Sequence, residues 1–485
     1  MAKTTSSGKP ELNRRSFLYA AGATAVGAAA WGAVGRGAAA PGVGHHQHAA
    51  VEPGAFRYPE GDPAYGRRAG GRPQSVHKNA AMMSRQEIRR FSRAFTWAVA
   101  AGYFDVFNDN HFNARRHRHH GADVLAVAPP AVAPGESLAW GLRLLPWHRS
   151  FITEAEAMLK AALAERNRRE HRDPAEADLL FMPYWDATHD RDLPGWVKRL
   201  RPRGGTAIAP EGLPEGHAGF GTPVGSRYRI DFNRWPETWL GWQQLPPVDQ
   251  IVRILSHDAF VDFYLPIDTA PEIVEERLPA AMQALDALAQ RLPDDPDVQL
   301  IVAFIETPPA EGDFEAQLAA VNAFLAIGHL ANLEAAKPRP DRELIRLILT
   351  IYSAFVFPPH VTLHFWAGGL NPRNPNVRGT VTYFNELAVD PVFWMLHGEL
   401  DRIWYTWETT HTDVPQLEGE DRVFQPLRRK EGRWYGGGRT YTLDQLVDHR
   451  AMAYTYDALW RRQKPRRRRR ARASATTDRS TTRRP

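Results

Sequence analysis

Pro359-His360-Val361-Thr362-Leu363-His364-Phe365-Trp366 sets two histidines four positions apart. On an α-helix that spacing puts both imidazoles on one face, a turn apart, where they can share a metal ion. The spacing alone decides little, because 19 histidines in 485 residues give about 0.7 such pairs by chance. The competing reading is a pair of surface or capping histidines. What separates the two is a third ligand, a carboxylate behind one of the rings, and further histidines in helical settings.

Composition narrows the chemistry. The chain is 43% hydrophobic with 15 Trp and 22 Phe, ample for a large buried core. It has no cysteine, which removes disulfides, thiolate metal sites and cysteine nucleophiles and leaves His, Asp and Glu as the available metal ligands. The formal net charge of +6 is misleading, since twelve Arg or Lys against Asp478 in 461–485 make the tail +11 and the remainder about −5. The run Arg466 to Arg470 has no interleaved aromatics and no recognition motif, so 461–485 reads as a basic, disordered, solvated tail and no nucleic-acid partner is expected.

Along the chain, residues 13–18 read Asn-Arg-Arg-Ser-Phe-Leu and precede a short Ala/Gly-rich run, with small residues at Ala38, Ala39 and Ala40. This looks like a twin-arginine export signal over 1–40 rather than a membrane anchor, so a secreted or extracytoplasmic protein is expected. No later stretch approaches a stable membrane span. Residues 41–84, rich in Gly, Pro and His and including His45, His46 and His48, read as a flexible leader. Ser84 followed by Glu87 is a capping box. It opens a helix through Phe91, Phe95 and Trp97 that continues or restarts toward His111. Leu144-Leu145-Pro146-Trp147-His148-Arg149 starts a second, with proline where its missing donor costs little. Residues 179–245 read as long ordered loops. Apolar stripes such as Ala281, Leu285, Leu288 and Leu292 mark a helical insertion over about 250–340, and read as core rather than cofactor contacts. Helices over 341–356 and from Asp390 to Trp407 follow, and no internal repeat is found. The folded unit is expected to run from 85 to 460.

In Asp390-Pro391-Val392-Phe393-Trp394-Met395-Leu396-His397-Gly398-Glu399-Leu400-Asp401 the proline can open a helix. His397 then supplies the third ligand, and Asp401, one turn on, a carboxylate that can orient an imidazole. These residues resemble the type 3 copper family of tyrosinases, catechol oxidases and polyphenol oxidases. In that family a His-x-x-x-His pair and a later histidine in an Asp-Pro-x-Phe-x-x-x-His-x-x-x-Asp run hold one of two coppers. The resemblance assigns His360, His364 and His397 to that B site and is supported by Gly368-Gly369. Leu-Pro-Trp-His-Arg followed by Glu156 resembles the segment of the third A ligand, placing it at His148, and Phe104-Asp105-Val106-Phe107 before His111 resembles that of the first. Pro183-Tyr184-Trp185-Asp186 and Tyr454-Thr455-Tyr456 are similar to structural motifs of the family.

The resemblance covers roughly residues 86–457. It implies a mainly α fold with a tyrosinase-like four-helix-bundle core around two copper ions, acting on phenolic substrates and dioxygen as an oxidase of o-diphenols or o-aminophenols. Where the family has its second A ligand this chain has Ala139, preceded by Leu138. Either His117, His119 or His120 takes its place or those three belong to an exposed Arg/His-rich loop, so the A site is intact or incomplete. Val361 replaces the Asn that follows the first B ligand in many members that hydroxylate monophenols, which implies weak or no hydroxylation. Leu396 makes the pocket more apolar. The competing function is a non-catalytic or mononuclear copper-binding accessory protein of the same fold. A zinc hydrolase is disfavoured because no Glu adjoins either histidine of the opening pair. A copper-loading or shielding partner protein is a further expectation.

Overall fold

The computed structural model describes residues 75–112, 140–200, 206–208, 227–229, 232–240, 243–268, 272–306, 327–356, 358–382, 387–427, 439–450 and 452–460. The export signal at 1–40, the positions 117, 119, 120 and 139, and the tail at 461–485 lie outside the described residues.

The fold is mainly α, and the expected helices form for local reasons. Helix α1 (Arg85–Ala100) starts at a complete capping box, with Ser84 and Glu87 each accepting from the other's amide. Its buried face carries Phe91, Ala94, Phe95, Ala98 and Val99 at helical spacing. After a turn through Gly102, with φ +76°, the chain restarts as α2 (Asp105–Phe112), which bears His111. Helix α3 (Leu144–Arg169) packs on α1 and carries His148. Pro146 sits in its first turn, where a backbone N–H would have had no helical acceptor.

Between the two histidine-bearing halves come α4 (Phe260–Asp268), α5 (Leu278–Arg291) and α6 (Arg342–Ser353). Helix α7 (Pro359–Gly368) carries His360 and His364, with proline at its first position. It stops at Gly368-Gly369, where Gly369 has φ +62° and a Cβ would lie 1.7 Å from the Trp235 carbonyl oxygen. Only glycine fits there, so the pair is a stop signal and a point of close backbone approach at once. Helix α8 (Pro391–Glu408) carries His397. Asp390 caps it, accepting from the Val392 amide at 2.9 Å while Arg234 forks onto both its oxygens at 2.7 Å.

Two apolar clusters sit on opposite sides of α7. The larger joins Phe95, Phe104, Trp147, Phe151, Phe263, Trp366, Trp394 and Trp404, from α1 to α4 and from α7 and α8. The smaller packs Leu285, Leu288, Leu347 and Ile351 against Val361 and Phe365. The stripes of α5 are therefore core, as their spacing suggests. Helix α4, near the start of the stretch read as a helical insertion over about 250–340, belongs to the main cluster, part of the body that holds the histidines.

The leader also ends earlier than its composition suggests. Strand β1 (Ser75–His77) pairs in parallel with β2 (Tyr454–Tyr456). The His77 ring stacks on Tyr454 at 4.0 Å. Four donors converge on the buried Glu156 carboxylate: the Ser75 hydroxyl at 2.7 Å, His77 Nε2 at 2.6 Å, Lys160 Nζ at 2.8 Å and the Met182 amide at 3.0 Å. Residues 75–84 thus belong to the folded unit. A three-residue strand whose partner lies near the far end of the domain leaves no local period to read. The Pro183–Asp186 stretch straps α8, with the Trp185 amide donating to Met395 and Arg402 paired with Asp186 at 2.8 Å.

Candidate metal centre

Helical spacing and tertiary packing bring all five candidate histidines together. His360 and His364 are one turn apart on α7, and His397 faces them from α8, so that one ring nitrogen from each lies within 4.8 Å of the others. His364 Nε2 and His397 Nε2 are 3.4 Å apart. On the other side His111 Nε2 and His148 Nε2 are also 3.4 Å apart. Two imidazole nitrogens at ordinary bond lengths of about 2.0–2.1 Å on one tetrahedral ion lie about 3.3 Å from each other. Each pair thus has the separation that a shared ion requires. The two halves meet where His148 and His397 stack face to face, with centroids 3.9 Å apart and planes 2° from parallel.

Ring orientation follows from what holds each Nδ1. His148 Nδ1 lies 2.8 Å from the Leu144 carbonyl and His364 Nδ1 2.6 Å from the Val381 carbonyl. A carbonyl only accepts, so the hydrogen sits on Nδ1 and Nε2 of the neutral ring keeps its lone pair for a metal. His360 Nδ1 lies 2.7 Å from Asp268 Oδ1. His397 Nδ1 is buried without a hydrogen-bond partner among the described residues, and stacking on His148 holds that ring instead. Burial first, and then the neighbouring rings of His148, His360, His364 and His111, keep His397 well below the ordinary histidine range, in the neutral form that binds metals.

Phe393 forms the apolar wall. Its buried ring meets His397 at 4.5 Å, His111 at 5.2 Å, His364 at 6.1 Å and His148 at 6.2 Å, centroid to centroid. Four of the five histidines are buried, and the fifth, His364, is partly exposed and marks the open side. Imidazoles lining an aromatic pocket suit copper or zinc and offer nothing that magnesium or calcium prefers.

Asp401 has a role that differs from the one its spacing suggests, and Asp268 has one that no motif indicates. Asp401 does not touch an imidazole. Its Oδ1 accepts from Arg149 Nε and its Oδ2 from the hydroxyls of Tyr454 and Tyr456, all at 2.5 Å. One turn of helix brings Asp401 near His397 along the axis, but the carboxylate points to the far side of α8, where these three donors sit. Asp268 supplies the carboxylate expected behind a ligand. No short motif marks it, since it reaches His360 across 92 residues. The only local hint is Tyr264, one turn before it, whose hydroxyl donates to Asp268 Oδ2 at 2.6 Å.

Val361 is buried among the residues of the smaller cluster, and Leu396 lies in the main core. Ala139, at the position of the family's second A ligand, and His117, His119 and His120, which could replace that ligand, lie outside the described residues.

Residues 269–410 match the family model "Common central domain of tyrosinase". That span contains His360, His364 and His397, and excludes Asp268, His148 and His111. Grixazone synthase of Streptomyces griseus is 31% identical over 127 residues, 24% of this chain and 36% of that protein. The chain thus spans about a third of that relative's length. The tyrosinase of Streptomyces antibioticus is 21% identical over 347 residues, covering 71% of this chain and 87% of that one. Among solved structures, the copper-bound active tyrosinase of Aspergillus oryzae aligns at 15% identity over 81% of this chain and 95% of its own, with a TM-score of 0.35, too loose a likeness to bear on the site. Residues 269–410 are thus similar to the central domain of tyrosinases.

Proposed function

We propose that this chain is a copper-dependent oxidase that uses dioxygen to convert o-diphenols or o-aminophenols to quinone-type products, with weak or no hydroxylation of monophenols. The observation that carries the reading is the pair of 3.4 Å Nε2 separations, His364 to His397 and His111 to His148, joined by the His148–His397 stack. His360, His364 and His397 would hold one copper. His111 and His148 would hold the second. A copper pair held there would supply two-electron redox chemistry between the organic substrate and dioxygen, which a single ion cannot supply in one step. Each o-diphenol gives up two electrons and two protons, so two substrates reduce one dioxygen to two waters.

The protein's part is positioning. Carbonyls and a carboxylate on Nδ1 aim Nε2 inward, Phe393 keeps water from the centre, and the side of His364 admits a flat ring. The absence of an amide side chain after His360 supports weak hydroxylation. The Ala139 position favours one competing reading, a mononuclear or accessory copper protein of the same fold.

Copper per chain, counted by elemental analysis alongside oxygen uptake on a catechol, separates the two. Two coppers with turnover are expected. One copper without turnover on any catechol or o-aminophenol would replace the oxidase reading with the accessory one, and Ala139→His would then be expected to raise the count. Export through the twin-arginine route is part of the same proposal. It is tested by Arg14→Lys with Arg15→Lys, which should keep the protein inside the cell. None of the described helices is long and apolar enough to cross a membrane.

A further inference from the structure

His360 differs from two of its fellow ligands in what stands behind its ring. Behind His148 and His364 stand backbone carbonyls, but behind His360 stands the Asp268 carboxylate at 2.7 Å, with the Tyr264 hydroxyl on its second oxygen at 2.6 Å. All three residues are buried. Tyr264 and Asp268 sit one turn apart on α4, at the end that packs on α7. The array also reaches the A-side segment, because a Cβ at Gly141 would lie 2.5 Å from the Tyr264 hydroxyl. Gly141, Tyr264 and Asp268 all precede the span that matches the tyrosinase central domain, whereas His360 lies inside it.

We infer that Asp268, held in place by Tyr264, is the positioning residue of the second metal half: it locks His360 with Nε2 toward the ion and supplies a negative charge behind a ligand set otherwise made of neutral rings. The inference rests on the copper reading above. A carboxylate on Nδ1 raises the donor strength of the opposite nitrogen more than a carbonyl does, and it favours the ring's binding to a cation electrostatically. Asn has nearly the same shape but lacks that charge. It can also turn its amide NH₂ toward Nδ1, and then the ring hydrogen moves to Nε2 and blocks ligation. Gly141 leaves room for the tyrosine that fixes which carboxylate oxygen faces the ring.

The test uses the full chain and copper itself. Wild type, Asp268→Asn, Asp268→Glu and Tyr264→Phe are loaded with copper and dialysed against a graded chelator, and retained copper per chain is measured together with the melting temperature of each metal-free protein. Asp268→Asn is expected to weaken retention of one copper by about 10- to 100-fold, Asp268→Glu to recover part of the loss, and Tyr264→Phe to show a smaller loss in the same direction. Equal retention by wild type and Asp268→Asn would overturn the assignment. So would a lowered melting temperature with unchanged copper affinity, which is the mark of a merely structural carboxylate. A wild-type chain that retains no copper would overturn the metal reading and this inference with it. Should Asp268→Asn fail to fold, the gentler Tyr264→Phe decides by the same comparison.

Discussion

Replacing Asp401 by Asn tests whether this carboxylate serves the metal or the frame. Asp401 accepts from Arg149, Tyr454 and Tyr456 at 2.5 Å each, fully buried, and the Arg149 guanidinium lies over the Trp404 ring at 3.6 Å. Removing one member of a buried ion pair costs about 3–5 kcal/mol, because the other charge stays behind. Arg149 keeps Glu408, at 2.8 and 2.9 Å, and the Leu446 carbonyl at 2.6 Å. An Asn carbonyl still accepts from one tyrosine hydroxyl. The expected loss is therefore at the low end, about 3 kcal/mol. Urea denaturation of metal-free protein would read it as a lower midpoint at unchanged slope, while copper retention by the folded fraction should stay within about twofold of wild type. Unchanged stability with a tenfold or greater loss of copper would refute the reasoning and return Asp401 to the role of ligand orienter.

Acid should loosen the anchor at Glu156. Burial opposes its charge, but Lys160 and His77 outweigh burial and hold the carboxyl well below its ordinary value of 4.5. Its contribution is thus present above the unfolded value and is lost as pH falls below about 5. Stability measured from pH 7 to pH 3 should drop less steeply in Glu156→Gln than in wild type, and parallel curves would count against the assignment. Two glycines with positive φ make a matched pair. Gly369→Ala forces a Cβ to within 1.7 Å of the Trp235 oxygen and should prevent stable folding, whereas Gly419→Ala, at φ +51° with nothing within 4 Å of its Cβ position, should cost only about 1 kcal/mol of stability through added backbone strain. Thermal melts compare them directly, and equal losses would contradict the crowding at Gly369.

The features legible in the sequence were those with local causes. His360 and His364 share a helix face because four residues make about one turn, and Asp390-Pro391 starts α8 because the Asp caps and the Pro has no N–H to satisfy. The Ser84–Glu87 start of α1 is of the same kind. What escaped the sequence reading depends on contacts between distant segments. Asp268 reaches His360 only once α4 packs on α7, and β1 finds its partner near residue 455. Asp401 shows the limit of helical spacing, which gives distance along the axis but not the direction of a carboxylate when an Arg and two Tyr compete for it. Phe260, Phe263 and Tyr264 join the main cluster, which their apolar signal alone does not tell apart from a satellite one.

The stacked rings of His148 and His397 mean that the two halves are not independent vessels. Each ring is a wall of the other half, so on the two-copper proposal a metal that immobilises one ring would also remove rotational freedom from its neighbour before a second metal binds. The first occupant bears that ordering cost for both. By thermodynamic reciprocity the favour is returned whichever side fills first. Metal uptake should therefore be steep, with the half-filled state scarce at intermediate copper, and emptying either half should hasten the emptying of the other.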